Sequence, residues 1–217
     1  MQQINPDNLE PIELFTYEAS KSLLKKGETK IIANITDAPP AYIHSLFHTE
    51  KHIILVVWQA DFVKRATNIV ESIRAWDPDR KTLFYVIDPA KGGVVAKYES
   101  EDAFFAFHEI NSFENEDGNI FVDLPTIKDH SFLQAAKIEN LRANLMHKAK
   151  GSSKNNIAGQ FTRYRLPYHS DKGKKTYVAE LDFPWTMHAV KPGHFSDSII
   201  KIDTETKKTM VAFIITA

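Results

Sequence analysis

The stretch from Phe104 to Glu114 places one histidine, His108, among phenylalanines, and asparagine and glutamate follow it at fixed offsets. Turn residues at 115–118 then lead into an apolar strand predicted at 120–125. An imidazole in such a setting is screened from water and flanked by groups that can fix its tautomer, as a metal-binding histidine requires. A hydrogen-bonded core histidine is the competing interpretation, and this segment alone favours it.

A second histidine, His44, also stands just before an apolar, strand-like run. Together the two segments resemble the carotenoid cleavage oxygenase family. Its members carry a motif of the type His-Ser/Asp-Phe-x-x-Thr-x-x-Tyr, to which residues 44–52 are similar, and one of the type Phe-His-x-x-Asn-x-Glu, to which residues 107–114 are similar. Residues 58–62 and 92–98 look like the fungal branch of the family, which includes torulene-cleaving dioxygenases.

The resemblance covers residues 30–130 well, and it implies both a fold and a chemistry. Family members are seven-bladed β-propellers with helical insertions, so this chain would supply a partial propeller of about three blades. Four histidines from different blades bind one Fe(II), for which imidazole is a good ligand. The reaction is oxidative scission of a C=C bond, with dioxygen as the second substrate. The resemblance therefore implies that His44 and His108 bind Fe(2+), and that the substrate is a carotenoid, an apocarotenoid or a stilbene-type alkene.

Two of the four ligands are expected to be absent from this chain. Where family members carry an Ala-His-Pro type of segment, the sequence passes from residues 8–12 almost directly to 30–35, and another ligand is expected beyond its last residue. Family members also carry a Glu-Φ-Pro pattern, whose carboxylate accepts the outer N–H of a ligand imidazole. Residues 182–184 resemble this pattern, so Asp182 and the nearby Glu180 are candidates for that role.

Other histidines offer a different metal site. His44, His48 and His52 are four positions apart and would share one face of a helix, which leaves zinc as an alternative. The apolar strand predicted from Ile53 argues against a helix there. The remaining histidines are interpreted as turn, surface or capping residues: His130, His147, His169, His188 and His194. The basic run at 172–175 is interpreted as a solvated hairpin tip and not as a nucleic-acid patch.

Composition restricts the classes of function. The chain of 217 residues has a formal net charge of −1, so no bulk field favours nucleic acid or an anionic membrane. It has no cysteine, which excludes disulfides, thiolate metal sites and a cysteine nucleophile. The start of the sequence lacks the features of a secretory signal, and the longest apolar run, around 53–57, is too short to span a bilayer. We expect a cytoplasmic protein, and leave open a peripheral contact with membranes or lipid bodies.

The elements that must position these residues are mainly strands. The apolar runs are short, rich in β-branched and aromatic residues and separated by turn signals, which predicts an antiparallel all-β fold. Predicted strands include residues 31–33, 53–58, 83–87, 120–124, 198–202 and 210–215, with a hairpin tip at 203–208. Helical spacing after Asp61, a candidate N-cap, predicts a short helix over 62–73, and a longer one is predicted at about 131–147. With no clear repeat or boundary, residues 1–217 are interpreted as one partial propeller domain.

The phenylalanines around His108 have two interpretations. They are Phe104, Phe105, Phe107 and Phe113. They could line an apolar tunnel for a long polyene, and ordinary strand packing explains at least three of them equally well.

The leading hypothesis is an Fe(II)-dependent dioxygenase of the carotenoid-cleavage type that yields aldehyde products and is impaired by its missing ligands. The alternative is a catalytically inactive propeller fragment without metal, either inert or acting as an interaction module. Such a fragment could self-associate through an exposed blade edge. We expect the isolated chain not to cleave a carotenoid, and iron content separates the two hypotheses.

Overall fold

The structure is a computed structural model that describes residues 2–3, 12–17, 29–63, 69–131, 133, 137–140, 142, 159–168, 176–186, 198–203, 205–206 and 208–214. Its elements in chain order are β1 (Gln2–Gln3), β2 (Ile12–Tyr17), β3 (Thr29–Ile35), β4 (Phe47–His48), β5 (Ile53–Val57), α1 (Ile69–Ser72), β6 (Leu83–Ile87), β7 (Val94–Ser100), β8 (Asn111–Glu114), β9 (Ile120–Ile127), β10 (Gly159–Leu166), β11 (Tyr177–Thr186), β12 (Ser198–Asp203) and β13 (Lys208–Ile214). Among these described residues the fold is therefore mostly β with little helix, as the sequence predicts. The six predicted strand segments correspond to β3, β5, β6, β9, β12 and β13.

Eight strands form one sheet in the order β4-β5-β6-β7-β11-β10-β9-β8. Strands β4 to β7 are successive antiparallel neighbours, which we call the first meander. Strands β8 to β11 form the second meander in the same way. The last strands of the two meanders, β7 and β11, pair in parallel with Tyr98 opposite Tyr177. Strands β1 to β3 form a separate antiparallel sheet, and β12 pairs with β13.

Strands β5 and β6 are buried on both faces, which explains why their sequences are nearly unbroken apolar runs. Side chains alternate across a strand, so Ile54 enters one core cluster and Leu55 enters the other. The first cluster also holds Val122 of the second meander, and the second cluster holds Ile35 of the three-stranded sheet. Each such aliphatic side chain contributes about 1.5–3 kcal/mol by burial. The first meander thus forms the middle of three packed layers.

A buried ion pair braces the second meander. Arg163 of β10 lies opposite Asp123 of β9 in the strand register. Its Nε and Nη2 donate to the two carboxylate oxygens at 2.6 and 2.7 Å. The Asp123 carboxylate raises the pKa of Arg163, although burial acts in the opposite direction. The guanidinium also lies 5.1 Å from the ring centre of Phe113, so it holds β8 against β9 and β10.

The turn between β8 and β9 requires a glycine. Gly118 has φ +81°, a conformation that side-chain-bearing residues rarely adopt. A Cβ atom at this position would lie 3.3 Å from the ring of Tyr168. Asn115 closes the turn, because its side-chain oxygen accepts the N–H of Asn119 at 2.9 Å. This tight turn fixes the register of β8, the strand that follows the His108 segment.

The helix predicted over residues 62–73 is wrong at both of its ends. Phe62 and Ile73 face each other as an antiparallel β-bridge, and the described helix, α1, is four residues long. Residues 64–68 lie outside the described part of the chain.

The reason for this error is the environment of Asp61, which does not act as an N-cap. Its side chain is buried, and its carboxylate binds both terminal nitrogens of the Arg80 guanidinium. The N–H of Phe62 donates to the carbonyl of Pro40 at 2.8 Å. These contacts, which involve residues distant in sequence, give the segment after Asp61 an extended start.

The hairpin tip predicted at 203–208 is confirmed, because β12 and β13 pair in antiparallel fashion across it. Asp203 accepts the N–H groups of Glu205 and Thr206 there. Most of the helix predicted at about 131–147, and the basic run at 172–175, lie outside the described residues. Among the described residues, no helix has the length and apolar character needed to cross a membrane.

Candidate metal centre

His44 and His108 occupy equivalent places in the two meanders. Each histidine stands three positions before the first strand of its meander, which is β4 for His44 and β8 for His108. The two side chains meet, with ring centroids 4.9 Å apart and planes at 84° to each other. Both side chains are exposed. The structure therefore brings together the two histidines that the sequence singles out, although they are far apart along the chain.

Tyr42 orients the ring of His44. The phenol oxygen of Tyr42 and Nδ1 of His44 lie 3.0 Å apart in a hydrogen bond. When Nδ1 carries the proton and donates it to the phenol oxygen, Nε2 keeps its lone pair and can bind a metal. In that tautomer the hydroxyl of Tyr42 stands beside His44 in the position expected for a carboxylate next to a ligand imidazole.

Phe107 forms an apolar wall beside the two histidines. Its ring meets His44 edge to face at 5.5 Å and lies 6.3 Å from the ring of His108. On its other side it packs against Phe105 at 4.9 Å, and Phe105 is completely buried. Phe107 therefore connects the histidine pair to the core of the protein.

The other phenylalanines of the segment are explained by packing. Phe104 is buried and stacks on Tyr164 with ring centroids 5.3 Å apart. Phe113 stacks on Phe121 at 5.0 Å and lies under the guanidinium of Arg163. Phe107 is thus the member of the set that contacts the histidine pair.

Side-chain hydrogen bonds join the β4 and β8 segments just beyond the two histidines. The N–H of Glu109 donates to Oγ of Ser45 at 3.4 Å, and Oγ of Ser112 donates to the carbonyl of His48 at 2.7 Å. Each pair is separated by 64 positions, which is also the separation of His44 and His108. The two segments therefore run side by side in a constant register.

Glu114 provides the last of these connections. Its Oε1 accepts the hydroxyl of Thr49 and lies 2.9 Å from Nδ1 of His52. Burial opposes ionisation of Glu114, but the hydrogen bonds from Thr49 and His52, together with the charges of His52 and Lys51, lower the pKa of this carboxyl below its ordinary value. Glu114 is therefore a carboxylate at neutral pH that bridges the two meanders.

Asp182 and Glu180 lie on β11, which β9 and β10 separate from β8 in the strand order. Nε of Arg165 donates to the carboxylate of Glu180 at 2.8 Å. Asp182 lies close enough to Arg163 for its charge to raise the pKa of that arginine. The structure gives both carboxylates arginine neighbours, and their role beside a histidine ligand stays a prediction.

The zinc alternative requires a helix that the structure does not contain. His48 lies in β4, and His52 immediately precedes β5, so the two histidines and His44 do not share a helical face. His52 instead pairs with Glu114. Within the described ranges, no group of three or more His, Cys, Asp or Glu side chains could hold a metal ion. The candidate centre in this part of the chain is thus a two-histidine site.

Comparison with known sequences identifies the family. The family model for retinal pigment epithelial membrane protein matches residues 9–215. A carotenoid dioxygenase from Neurospora crassa is 31% identical over 176 residues, which are 72% of this chain and 28% of that protein. A torulene dioxygenase from Fusarium fujikuroi is 32% identical over 172 residues, or 70% of this chain and 30% of that protein. The chain belongs to the retinal pigment epithelial membrane protein family of carotenoid oxygenases, which confirms the resemblance that the motifs indicate, including its fungal branch.

The fold has solved counterparts. The crystal structure of a Pseudomonas brassicacearum lignostilbene dioxygenase superimposes with a TM-score of 0.61 over 96% of this chain and 46% of that one, at 15% sequence identity. At this identity the likeness concerns the fold. The chain spans less than a third of the length of the curated relatives described above.

Sequence reasoning did not identify Tyr42 and Glu114 as residues of the site. Glu114 closes the second motif, whereas Tyr42 stands two positions before His44 and so lies just outside the first motif. Spacing along the chain could not reveal the partners of Glu114, because its contacts depend on β4 and β8 lying side by side.

Proposed function

We propose that this chain carries part of an Fe(II)-dependent dioxygenase that cleaves a C=C bond of a carotenoid or apocarotenoid to aldehyde products. A stilbene-type alkene is the second substrate class. The observation that carries the proposal is the meeting of His44 and His108 at the start of two neighbouring meanders, 4.9 Å apart. Family membership supports the reaction type, and the relatives are a carotenoid dioxygenase and a torulene dioxygenase.

The separation of the two histidine rings supports a shared metal ion. Two imidazoles that share one ion have ring centres roughly 5 Å apart, because each metal–nitrogen bond is about 2.1 Å long. The separation of His44 and His108 agrees with this value. Neutral imidazoles suit ferrous iron and leave its charge undiminished. Bound iron would supply the activation of dioxygen, and two imidazoles alone would hold it weakly.

The residues of the chain have definite tasks in this proposal. Tyr42 holds the Nδ1 proton of His44 and so presents Nε2 as the ligand atom. Phe107 excludes water from one side of both rings and offers an apolar surface to a polyene. No nucleophile or general base from the protein is needed, because the bond is cleaved by oxidation.

The proposal extends to the whole architecture. We infer that the three-stranded sheet and the two meanders are three neighbouring blades of a seven-bladed propeller, and that His44 and His108 face its axis. The layered packing supports this inference, because each layer contributes to a core cluster shared with its neighbour. We also propose a cytoplasmic location, with peripheral contact to membranes or lipid bodies as one route by which a hydrophobic substrate could reach the site.

Iron stoichiometry tests the proposal. The purified chain is dialysed to equilibrium against Fe(II) under anaerobic conditions, and the iron bound above the free concentration is measured beside a His44→Ala, His108→Ala double variant, so that weakly held iron is also counted. His48→Ala is the matched control, because His48 is an exposed histidine of the same segment. We expect iron in the wild-type chain and in the control, and its loss in the double variant.

Equal iron in the wild type and the double variant would contradict the proposal. It would leave the alternative of a metal-free interaction module, whose self-association a sedimentation experiment would detect.

A further inference from the structure

Strands β4 and β8 stand at opposite ends of the eight-stranded order, and within the described part of the chain they share no backbone ladder. The hydrogen bonds described above join them through the side chains of Ser45, Ser112 and Glu114. The register between the two segments, and with it the approach of His44 to His108, therefore depends on side chains. This differs from an ordinary strand pair, in which backbone hydrogen bonds fix the register.

We propose that Glu114 is a positioning residue for the metal centre. Together with Thr49 and His52 it forms a contact, which we call the Glu114 latch, that holds β8 against the β4–β5 turn and keeps His108 beside His44. The inference rests on the proposed function, since it concerns the same histidine pair.

The latch is held by several hydrogen bonds and is largely screened from water. One oxygen of Glu114, Oε1, binds both the hydroxyl of Thr49 and Nδ1 of His52, and the Glu114 side chain is 13% exposed. Oγ1 of Thr49 also accepts the N–H of His52 at 2.9 Å, which fixes the turn internally. Lys51 lies 4.0 Å from the other carboxylate oxygen, but its side chain is 73% exposed and contributes little.

The position of Glu114 gives it influence over the histidines. It ends β8, whereas His108 precedes the start of that strand by three residues. Because β8 is already held in register with β9, the movement that the latch opposes is a displacement of β8 relative to β4, and a displacement by one residue spacing would shift His108 by about 3.3 Å relative to His44. A shift of that size would separate two rings that now lie 4.9 Å apart. By holding the C-terminal end of β8, Glu114 therefore fixes the ring of His108, which precedes the N-terminal end of the same strand.

The first test needs no metal. The full chain is prepared with isotope-labelled histidine, and the nuclear Overhauser cross-peak between the rings of His44 and His108 is recorded, with assignment from His44→Ala and His108→Ala. We expect this cross-peak in the wild type and its loss in Glu114→Ala. Glu114→Gln should keep it, because an amide oxygen still accepts both hydrogen bonds. Glu116→Ala, which removes an exposed carboxylate two positions further along, is the matched control and should also keep it.

Thr49→Val provides a second test of the latch in case Glu114→Ala does not fold. It removes one hydroxyl with little change in shape, and we expect a weaker cross-peak at unchanged secondary structure by circular dichroism. If Glu114→Ala is unfolded, the Thr49→Val result decides. A cross-peak of wild-type intensity in the deciding variant would overturn the latch. Absence of the cross-peak from the wild type would also overturn the latch, because no histidine pair would then exist to be held.

The second test separates the latch from the proposed function. Fe(II) titration of the same proteins should show roughly ten-fold weaker binding in Glu114→Ala than in the wild type, the loss typical of residues that orient ligands. No iron binding by the wild type, with the cross-peak still lost in Glu114→Ala, would refute the proposed function and leave the latch supported. Iron binding and a cross-peak that are both unaffected by Glu114→Ala would refute the latch alone.

Discussion

In the proposed metal centre, the hydroxyl of Tyr42 occupies Nδ1 of His44 and leaves Nε2 as the ligand atom. Tyr42 shares a hydrogen bond with Nδ1 at 3.0 Å, so the Nδ1–H tautomer leaves Nε2 available. A carboxylate in the same place would also increase the basicity of the imidazole, whereas a neutral hydroxyl mainly fixes the orientation of the ring. The effect expected from Tyr42 is therefore on the geometry of the centre and on metal affinity.

Tyr42→Phe should weaken Fe(II) binding by roughly ten-fold and leave the fold intact. The substitution removes the hydroxyl but keeps the ring, which lies 6.4 Å from that of Phe107. Binding is measured by anaerobic titration. Tyr168→Phe, which removes a hydroxyl from a tyrosine that is 65% exposed, is the matched control and should bind iron as the wild type does. Equal affinity in Tyr42→Phe and the wild type would show that Tyr42 has no part in the centre.

At the scale of elements, the Glu114 latch joins the β4–β5 turn to β8 and should make the stability of this contact depend on pH. Thr49, His52 and Lys51 outweigh the effect of burial and lower the pKa of Glu114 from its ordinary value of 4.5. A carboxyl whose pKa is lower in the folded than in the unfolded state stabilises the fold above its unfolded pKa. That contribution is lost as pH falls through the folded pKa.

The measurement is the difference in melting temperature between the wild type and Glu114→Gln, followed from pH 7 downwards. We expect the wild type to melt at the higher temperature near neutral pH, and the difference to shrink below about pH 4.5 as the carboxylate of Glu114 is protonated. A difference that keeps growing below about pH 4.5 would contradict the lowered pKa of Glu114.

The sequence predicts strands better than it predicts the helix after Asp61. Strands such as β5 and β6 are buried on both faces, and their sequences are apolar throughout. Such an apolar run predicts a strand whichever elements pack against it. The Asp61 segment has helical spacing, but the carboxylate is taken by Arg80, nineteen positions further along. An N-cap pattern reflects only the hydrogen bonds that a side chain can make to the backbone nearby. A buried ion pair with a residue distant in sequence overrides it.

The candidate site could likewise be predicted only in part from the sequence. His44 and His108 could be selected from two motifs, and the structure brings their rings together. The latch could not be predicted, because Glu114 lies 65 positions from Thr49 and meets it through the packing of two meanders. Residue types and local spacing thus select the two candidate ligands, whereas the distance between their rings depends on how the meanders are arranged.

For the molecule as a whole, the central feature is that the first meander is covered on both sides. Its strands share one core cluster with the second meander and another with the three-stranded sheet. This shared packing supports the proposal that the three-stranded sheet and the two meanders are adjacent propeller blades. The two clusters lie on opposite faces of the same strands, so the packing of one should be largely independent of the packing of the other.

Ile35→Val and Ile54→Val test this arrangement. Ile35 belongs to the cluster on one face, Ile54 to the cluster on the other, and both are at most 1% exposed. Each substitution should lower the free energy of unfolding by about 0.5–1.5 kcal/mol, measured by urea denaturation. The double variant should lose the sum of the two effects to within about 0.5 kcal/mol, as independent sites do. An Ile35→Val variant as stable as the wild type would mean that the three-stranded sheet does not pack on the first meander, and a large coupling energy would mean that the two clusters form one core.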